Sequence, residues 1–427
     1  MSSASTPASP ARDLRSNRST AYRICIHALV PLRRDVRTRR VAAALTDAGF
    51  DVTVVDVAHD GVEAGAAERA DDGLAVRHIR VPAWLAEHYS PTHPALWLLF
   101  KIVRLMKAFS AVAGTPADAY HAADLMALPS CYIAARLRRK PLVFESYEMP
   151  LTQPHLKRFR LLHGLVTCLL RLMIARCTAV IVVSPPIGDE LRRQFGGPAC
   201  VVLRNIPSYQ EPVTSARLRD ALALDAGTRI ALYQGGIQEN RSLDILVRAA
   251  RHLPADCVIV MMGDGPSRAQ LARLIESERV GDCVKMIGAV PYDELLAWTA
   301  SADIGLTLFS PDFSPSIRMC LPNKLFEYLM AGLPVLTSRL EAVEAIVEAY
   351  DVGRVVDALD AETVAASITN MLADAADLQK WHRNALAAAK SDLNWEHEQE
   401  RLVRLYNEIQ THADIAPRAI TRHVSAR

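Results

Sequence analysis

The run LPNKLFEY holds Pro322, Asn323, Lys324 and Glu327, residue types whose spacing suits a phosphorylated ligand. It reads as a helix opening at Pro322, with free N–H groups and the positive end of the helix dipole at its start, a place that favours a diphosphate. Lys324 adds a full charge there. Glu327, three residues on and nearly on the same face, can accept hydrogen bonds from vicinal hydroxyls such as those of a ribose. Two glycine-bearing loops precede this run. In QGGIQENRSLD, Gly235 and Gly236 follow an apolar stretch, where a missing Cβ lets a phosphate approach the backbone, and Arg241 supplies a cation near a helix start. In GDGP, Gly263, Asp264 and Gly265 stand ahead of another helix. Each feature also has a plainer reading: strand-to-helix turns for the glycines, and a capped helix with a solvated Lys–Glu pair.

The first half of the chain offers a different set. The loop PLRRDVRTRR clusters Arg33, Arg34, Arg37, Arg39 and Arg40 around one acid, Asp35. Asp35 and Arg37 are candidates for contact with an acceptor or a phosphate, and a solvated basic loop explains the cluster equally well. His121 in YHAADL, a candidate general base, and Glu145 and Glu148 in FESYE are expected to follow strands. A lone histidine is more often structural than catalytic.

Elements must position these residues. Short β-branched runs alternate with helical patterns from about residue 21 to about 375, which reads as βαβ units and an α/β fold with parallel sheets. Strands are expected over 22–30, 52–57, 142–144, 179–183 and 201–203, with a helix over 41–48 ended by Gly49. A proline-containing polar segment, 205–215, interrupts the pattern and reads as an interdomain linker. Strands then resume over 229–233, 258–262, 284–287, 304–308 and 334–337. Two doubly wound domains follow, 21–205 and 206–394, with ligands expected in a crevice at the carboxyl ends of the strands. The amphipathic stretch 395–411 is a candidate to cross back to the first domain; 1–20 and 412–427 read as flexible tails.

Half of the 427 residues are hydrophobic and the net charge is +2, which excludes wholesale disorder and argues against a dedicated nucleic-acid binder. The eight cysteines form no C-x-x-C pair and several sit in apolar runs, so neither a zinc site nor a disulfide framework is indicated. The first 23 residues lack the apolar stretch of a secretory signal, and 161–177 is interrupted by Arg171 and Arg176. These features predict a cytoplasmic protein.

From Tyr233 to Ser338 the chain resembles the nucleotide-sugar domain of glycosyltransferase family 4. The resemblance rests on YQGGIQENRSLDILVRAA, VMMGDGP, VKMIGAVPYDEL, ADIGLTL and LPNKLFEYLMAGLPV, in the family's order and spacing. The first domain is similar more loosely, through DVRTRRVAAALTDAGFDVTVV, DAYHAADL, PLVFESYE and TAVIVVS. The resemblance implies a GT-B fold, two Rossmann-like domains facing a central cleft. It also implies that Gly235, Gly236, Gly263, Arg241, Lys324 and the amides around Asn323 and Leu325 lie at the donor diphosphate. Glu327 is implied at the donor ribose and Val290 near the base. Three positions depart from the family pattern: Met319 stands where a carboxylate is common, Gly236 where an arginine is frequent, and Tyr147, beside the acceptor candidates, where a histidine is frequent.

The expected activity is therefore transfer of a hexose-type sugar from a nucleotide diphosphate sugar, with retention of anomeric configuration as the resemblance implies. No Asp-x-Asp pair is present, so Arg241, Lys324 and the helix dipole are expected to replace a metal, and no cofactor is expected. A sugar-nucleotide epimerase of the same architecture and a catalytically silent nucleotide-sugar-binding subunit are the alternatives. Two stretches, 89–117 and 149–188, combine apolar and basic residues with no acid. They read either as core-facing helices with a basic outer face or as a surface for anionic lipid. The second reading would place the protein on the inner face of the plasma membrane, with a lipid-linked or polysaccharide acceptor.

Overall fold

The computed structural model describes residues 21–57, 67–69, 73–80, 94–151 and 160–421. The expected tail at 1–20 and the last six residues, 422–427, of the expected tail 412–427 lie outside them, as do 89–93 and 152–159 of the two basic apolar stretches.

Among the described residues the strands form two sheets. The first contains β1 (Arg23–His27), β2 (Asp51–Val57), β3 (Ala67–Arg69), β4 (Ala75–Ile79), β5 (Ala119–Ala122), β6 (Leu142–Ser146), β7 (Ala179–Val182) and β8 (Cys200–Val202), in the order β3-β4-β2-β1-β5-β6-β7-β8. β3 pairs antiparallel with β4; the other pairings are parallel. The second contains β9 (Arg229–Gln234), β10 (Cys257–Met262), β11 (Val284–Ile287), β12 (Ile304–Thr307), β13 (Val335–Thr337) and β14 (Gly353–Val355), all parallel, in the order β11-β10-β9-β12-β13-β14. Helices cover both faces of each sheet, which is why strands such as RIALYQ and CVIVMM are buried almost throughout. This is a GT-B architecture of two Rossmann-like domains, with no regular secondary structure over 203–216 between them.

Several boundaries differ from those read in the sequence, for identifiable reasons. The helix expected over 41–48 is Val36–Asp47, because the Asp35 carboxylate caps it, accepting from the Thr38 amide at 2.9 Å. The preceding charged run RTRR shows no apolar period, so the first turns were not visible as helix. No strand was expected at β4, where Arg77 and His78 break the apolar alternation, and β5 runs through His121, which was expected to follow a strand. β3 and β14 are three residues long. An extra turn, Pro315–Met319, stands between β12 and the helix Asn323–Met330.

The last helix, Trp395–Thr421, leaves the second domain and packs on the first. Its Trp395, Leu402, Leu405, Tyr406 and Ile409 share a core with Ile24, Val41 and Leu45. The chain stays helical through Thr421, past the expected end at 411. A buried ion pair, Arg204 Nε to Glu398 Oε1 at 2.7 Å, fixes where the helix returns.

Candidate functional site

The glycine loops and the LPNKLFEY helix meet at the carboxyl ends of β9, β10 and β12. Gly235, at φ +116°, lies against Lys324: a Cβ there would stand 3.6 Å from its Nζ. Gly263 is dictated by packing, since a Cβ would fall 2.0 Å from the Gly235 carbonyl oxygen. It therefore holds the first loop in place from behind. Gly236 is exposed, and its carbonyl accepts from the Tyr233 hydroxyl at 2.6 Å.

Lys324 is 8 % exposed, and its ammonium lies 3.5 Å above the Tyr233 ring centre and 5.4 Å from that of Phe309. The Arg241 guanidinium lies 4.5 Å from the same Phe309 ring. Two cations thus share one aromatic platform. Among the described residues the Lys324 Nζ has no hydrogen-bond partner. Burial above all, then the neighbouring Arg241, pushes its pKa well below the ordinary lysine value, against the opposing pull of Glu327. An anion between Lys324 and Arg241 would supply the missing partner.

The helix Asn323–Met330 begins at Pro322 without a side-chain cap. The Leu325 amide, expected at the phosphates, is taken by the Pro322 carbonyl at 3.0 Å, which leaves the Asn323 and Lys324 amides at the open end. The Asn323 side chain accepts from Asn205 of the interdomain segment at 3.0 Å. One turn on, Glu327 Oε2 accepts from Gln234 Nε2 at 2.6 Å. Burial raises the Glu327 pKa, opposed by Gln234, Lys324 and Arg40. Val290 packs half-buried against the second domain's core. Tyr233, Gln234 and Phe309 were not singled out in the sequence. The available signal was a glutamine ending an otherwise apolar strand directly before Gly-Gly.

The first domain departs more from expectation. His121 and Glu145 do not follow strands; they lie within β5 and β6 and are buried. His121 Nδ1 pairs with the Tyr406 hydroxyl at 2.8 Å and Nε2 with Glu145 Oε2 at 3.2 Å. Glu145 Oε1 also accepts from Arg37 Nε at 2.7 Å and Nη2 at 2.5 Å, and Arg37 Nη2 donates to the Leu203 carbonyl at 2.7 Å. Burial pushes the Glu145 pKa up, but Arg37 and His121 outweigh it and hold the carboxyl below its ordinary range. This network joins β5, β6, the first helix and the returning C-terminal helix. It engages both nitrogens of His121, which argues against the general-base expectation. Asp35 is occupied by Thr38, whose hydroxyl it accepts at 2.7 Å. Tyr147 lies under the Arg37 guanidinium, 5.4 Å from ring centre to Cζ. Among these acceptor candidates Glu148 is exposed. It lies close enough to the second domain to raise the pKa of Cys320 together with burial, the larger cause.

Met319 is 5 % exposed and belongs to the first domain's core, although its chain position is in the second. The Ser184 hydroxyl donates to its carbonyl at 2.6 Å, and the Met149 amide to Ser316 Oγ at 3.4 Å. The residue standing in place of a carboxylate is thus an apolar contact between the domains.

The outer faces of the two basic apolar stretches are themselves apolar. Ile102, Leu105 and Met106 of the helix Pro94–Ala113 are exposed, as are Leu161, Leu165 and Leu169 of Arg160–Ile174. No described helix is long and apolar enough to cross a membrane. Among the described residues, no three His, Cys, Asp or Glu side chains gather as metal ligands.

Comparison with known proteins agrees with this fold. The family model "Glycosyl transferases group 1" matches 215–387, and "Glycosyltransferase Family 4" matches 35–206. The alpha-D-kanosaminyltransferase of Streptomyces kanamyceticus is 25% identical over 328 residues, 74% of this chain and 81% of that protein. Among solved structures, sucrose-phosphate synthase of Thermosynechococcus elongatus superposes with a TM-score of 0.72 at 16% identity, covering 92% of this chain and all of that one. Anabaena Alr3699/HepE, solved with UDP-glucose, superposes with a TM-score of 0.66 at 15% identity, covering 90% and 99%.

Proposed function

Because the chain belongs to the group 1 glycosyl transferases of glycosyltransferase family 4 and moves a sugar from a nucleotide sugar, we propose that it does so with retention, without a metal, and onto an acceptor held at a membrane surface. The observation that carries the metal-free reading is the buried, unpartnered Lys324 ammonium beside Arg241, at a helix start with open amides. As the sugar–phosphate bond breaks, negative charge grows on the leaving diphosphate. Fixed cations and amides stabilise that charge without reorganising. The acceptor oxygen forms its bond to the anomeric carbon on the face the phosphate leaves, and its proton passes to the departing phosphate oxygen. No protein base is needed for this step, in keeping with the burial of His121. Gly235, Gly236, Asn323, Lys324 and Arg241 hold the diphosphate, Glu327 the ribose, and Val290 borders the base.

The acceptor reading is supported by the apolar outer faces of Pro94–Ala113 and Arg160–Ile174, which carry Lys101, Lys107 and Arg171 and no acid. Such faces suit anionic lipid, and a lipid-linked or polysaccharide acceptor would be presented there. The eight cysteines are unpaired, which fits a cytoplasmic site on the inner leaflet.

The test is a thermal-shift screen against sugar nucleotides, UDP-sugars first, followed by product analysis with the stabilising donor. A glycosylated acceptor of retained configuration, formed in the presence of chelator, is expected. Conversion of the free sugar nucleotide without acceptor would make the protein an epimerase. Binding without turnover on any membrane extract would make it a silent subunit.

A further inference from the structure

Gln234 is 2 % exposed, at the last position of β9, and no reading of the glycosyl-transfer site requires it. Its side chain nevertheless touches the one carboxylate of that site. Gln234 Nε2 stands 2.6 Å from Glu327 Oε2, and Gln234 Oε1 stands 2.8 Å from the hydroxyl of Thr299, which is fully buried. The direction of this chain is fixed by chemistry. A carboxylate oxygen accepts only, so the amide must turn its NH2 to Glu327 and its oxygen to Thr299, and the Thr299 hydroxyl must donate. The hydroxyl has a single proton, which is shared between Gln234 Oε1 and the Leu295 carbonyl, also 2.8 Å away, and this pins the threonine to its helix. The main chain is held as well: the Gln234 amide donates to the Tyr328 hydroxyl at 3.0 Å, and that hydroxyl donates to the Leu232 carbonyl at 3.0 Å.

We infer that Gln234, set by Thr299, is a positioning residue that fixes which oxygen of Glu327 faces the donor ribose and so enforces the preference for a ribonucleotide over a deoxyribonucleotide donor. This rests on the placement of Glu327 at the ribose proposed above. One oxygen of the carboxylate is committed to Gln234. The other has no protein hydrogen bond among the described residues and is left for a ribose hydroxyl. Without Gln234 the carboxylate can rotate about its last torsion, which is broad and two-fold, and offers no defined acceptor. The amide also favours the ionised carboxylate, which burial opposes. The Gln234 side chain is engaged by Glu327 and Thr299, so its loss should be felt in donor recognition and not in the chemical step.

The experiment measures binding of UDP, GDP and ADP and of their 2′-deoxy counterparts by titration calorimetry, on the full chain and four variants. For the base that binds, the wild type should prefer the ribonucleotide by roughly tenfold or more. Glu327→Ala and Gln234→Leu should both bring that ratio near one, while deoxynucleotide affinity stays within about threefold of wild type, since the diphosphate contacts are untouched. Thr299→Val should lower the ratio and Thr299→Ser should keep it. The threonine pair carries the test should Gln234→Leu fail to fold. Loss of the ratio in Glu327→Ala with the wild-type ratio kept in Gln234→Leu or Thr299→Val overturns the positioning role alone. A wild type that does not discriminate, or a Glu327→Ala variant that still does, overturns the ribose assignment and this inference with it.

Discussion

Replacing Lys324 by methionine should change stability and affinity in opposite directions. The thioether chain matches lysine in length and can lie over the Tyr233 and Phe309 rings where the ammonium now sits. In the unliganded protein the ammonium is buried, lacks a hydrogen bond among the described residues and has Arg241 beside it. Leaving such a group unsatisfied costs about 1–3 kcal/mol, so Lys324→Met should raise unliganded stability by roughly that amount. The sign with pH follows from linkage. A lysine whose folded pKa is lowered binds fewer protons folded than unfolded, so its penalty is full below the lowered value and fades as pH rises toward about 10.4. The stability difference between variant and wild type should therefore shrink with rising pH. With ligand the order reverses, because a charge-assisted hydrogen bond to phosphate is worth about 1.5–3 kcal/mol, or roughly 10- to 150-fold in Kd. Urea unfolding at several pH values, without ligand and with saturating nucleoside diphosphate, reads both effects. A variant less stable than wild type without ligand, or one that binds nucleoside diphosphate equally well, would refute the account of Lys324 as a strained cation waiting for phosphate.

Arg241→Ala should lower kcat by about 10²–10³-fold, the range for removing one preorganised donor to developing charge, and a steady-state assay with saturating donor measures it. Glu145→Gln should destabilise the fold by about 3–5 kcal/mol, because it leaves the buried Arg37 without its counter-charge, and urea unfolding reads it. Met319→Glu, which restores the residue type common in the family, should separate the domains, since it buries a carboxylate in the first domain's core. Small-angle scattering should show a larger radius of gyration. Leu161→Asp with Leu165→Asp should abolish flotation with anionic vesicles at low salt while leaving donor binding intact; unchanged flotation would count against the membrane surface.

The donor-half motifs could be picked out in the sequence because their features are local. Gly235-Gly236 and GDGP each place glycines directly after a strand, LPNKLFEY places a cation at a helix start, and the strand periodicity says where the strands end. The parallel α/β plan followed from the same periodicity. What local spacing does not contain is partnership across the chain. The roles of His121 and Glu145 turned on Arg37 and Tyr406, respectively 108 residues before Glu145 and 285 after His121, and only the folded sheet shows that these polar groups satisfy one another. Met319 reads in sequence as a missing carboxylate; in the fold it is a hydrophobic contact between domains. Gln234 reads as the end of a strand, and only its closeness to Glu327 and Thr299 gives it a task. The sequence by itself determined the residue types at each strand end and the period that builds the two sheets, because both are set by neighbours in the chain. Tertiary structure decided which polar groups are spent on one another and which remain for a ligand, because burial charges a cost to every unpaired group and only the fold says what is buried.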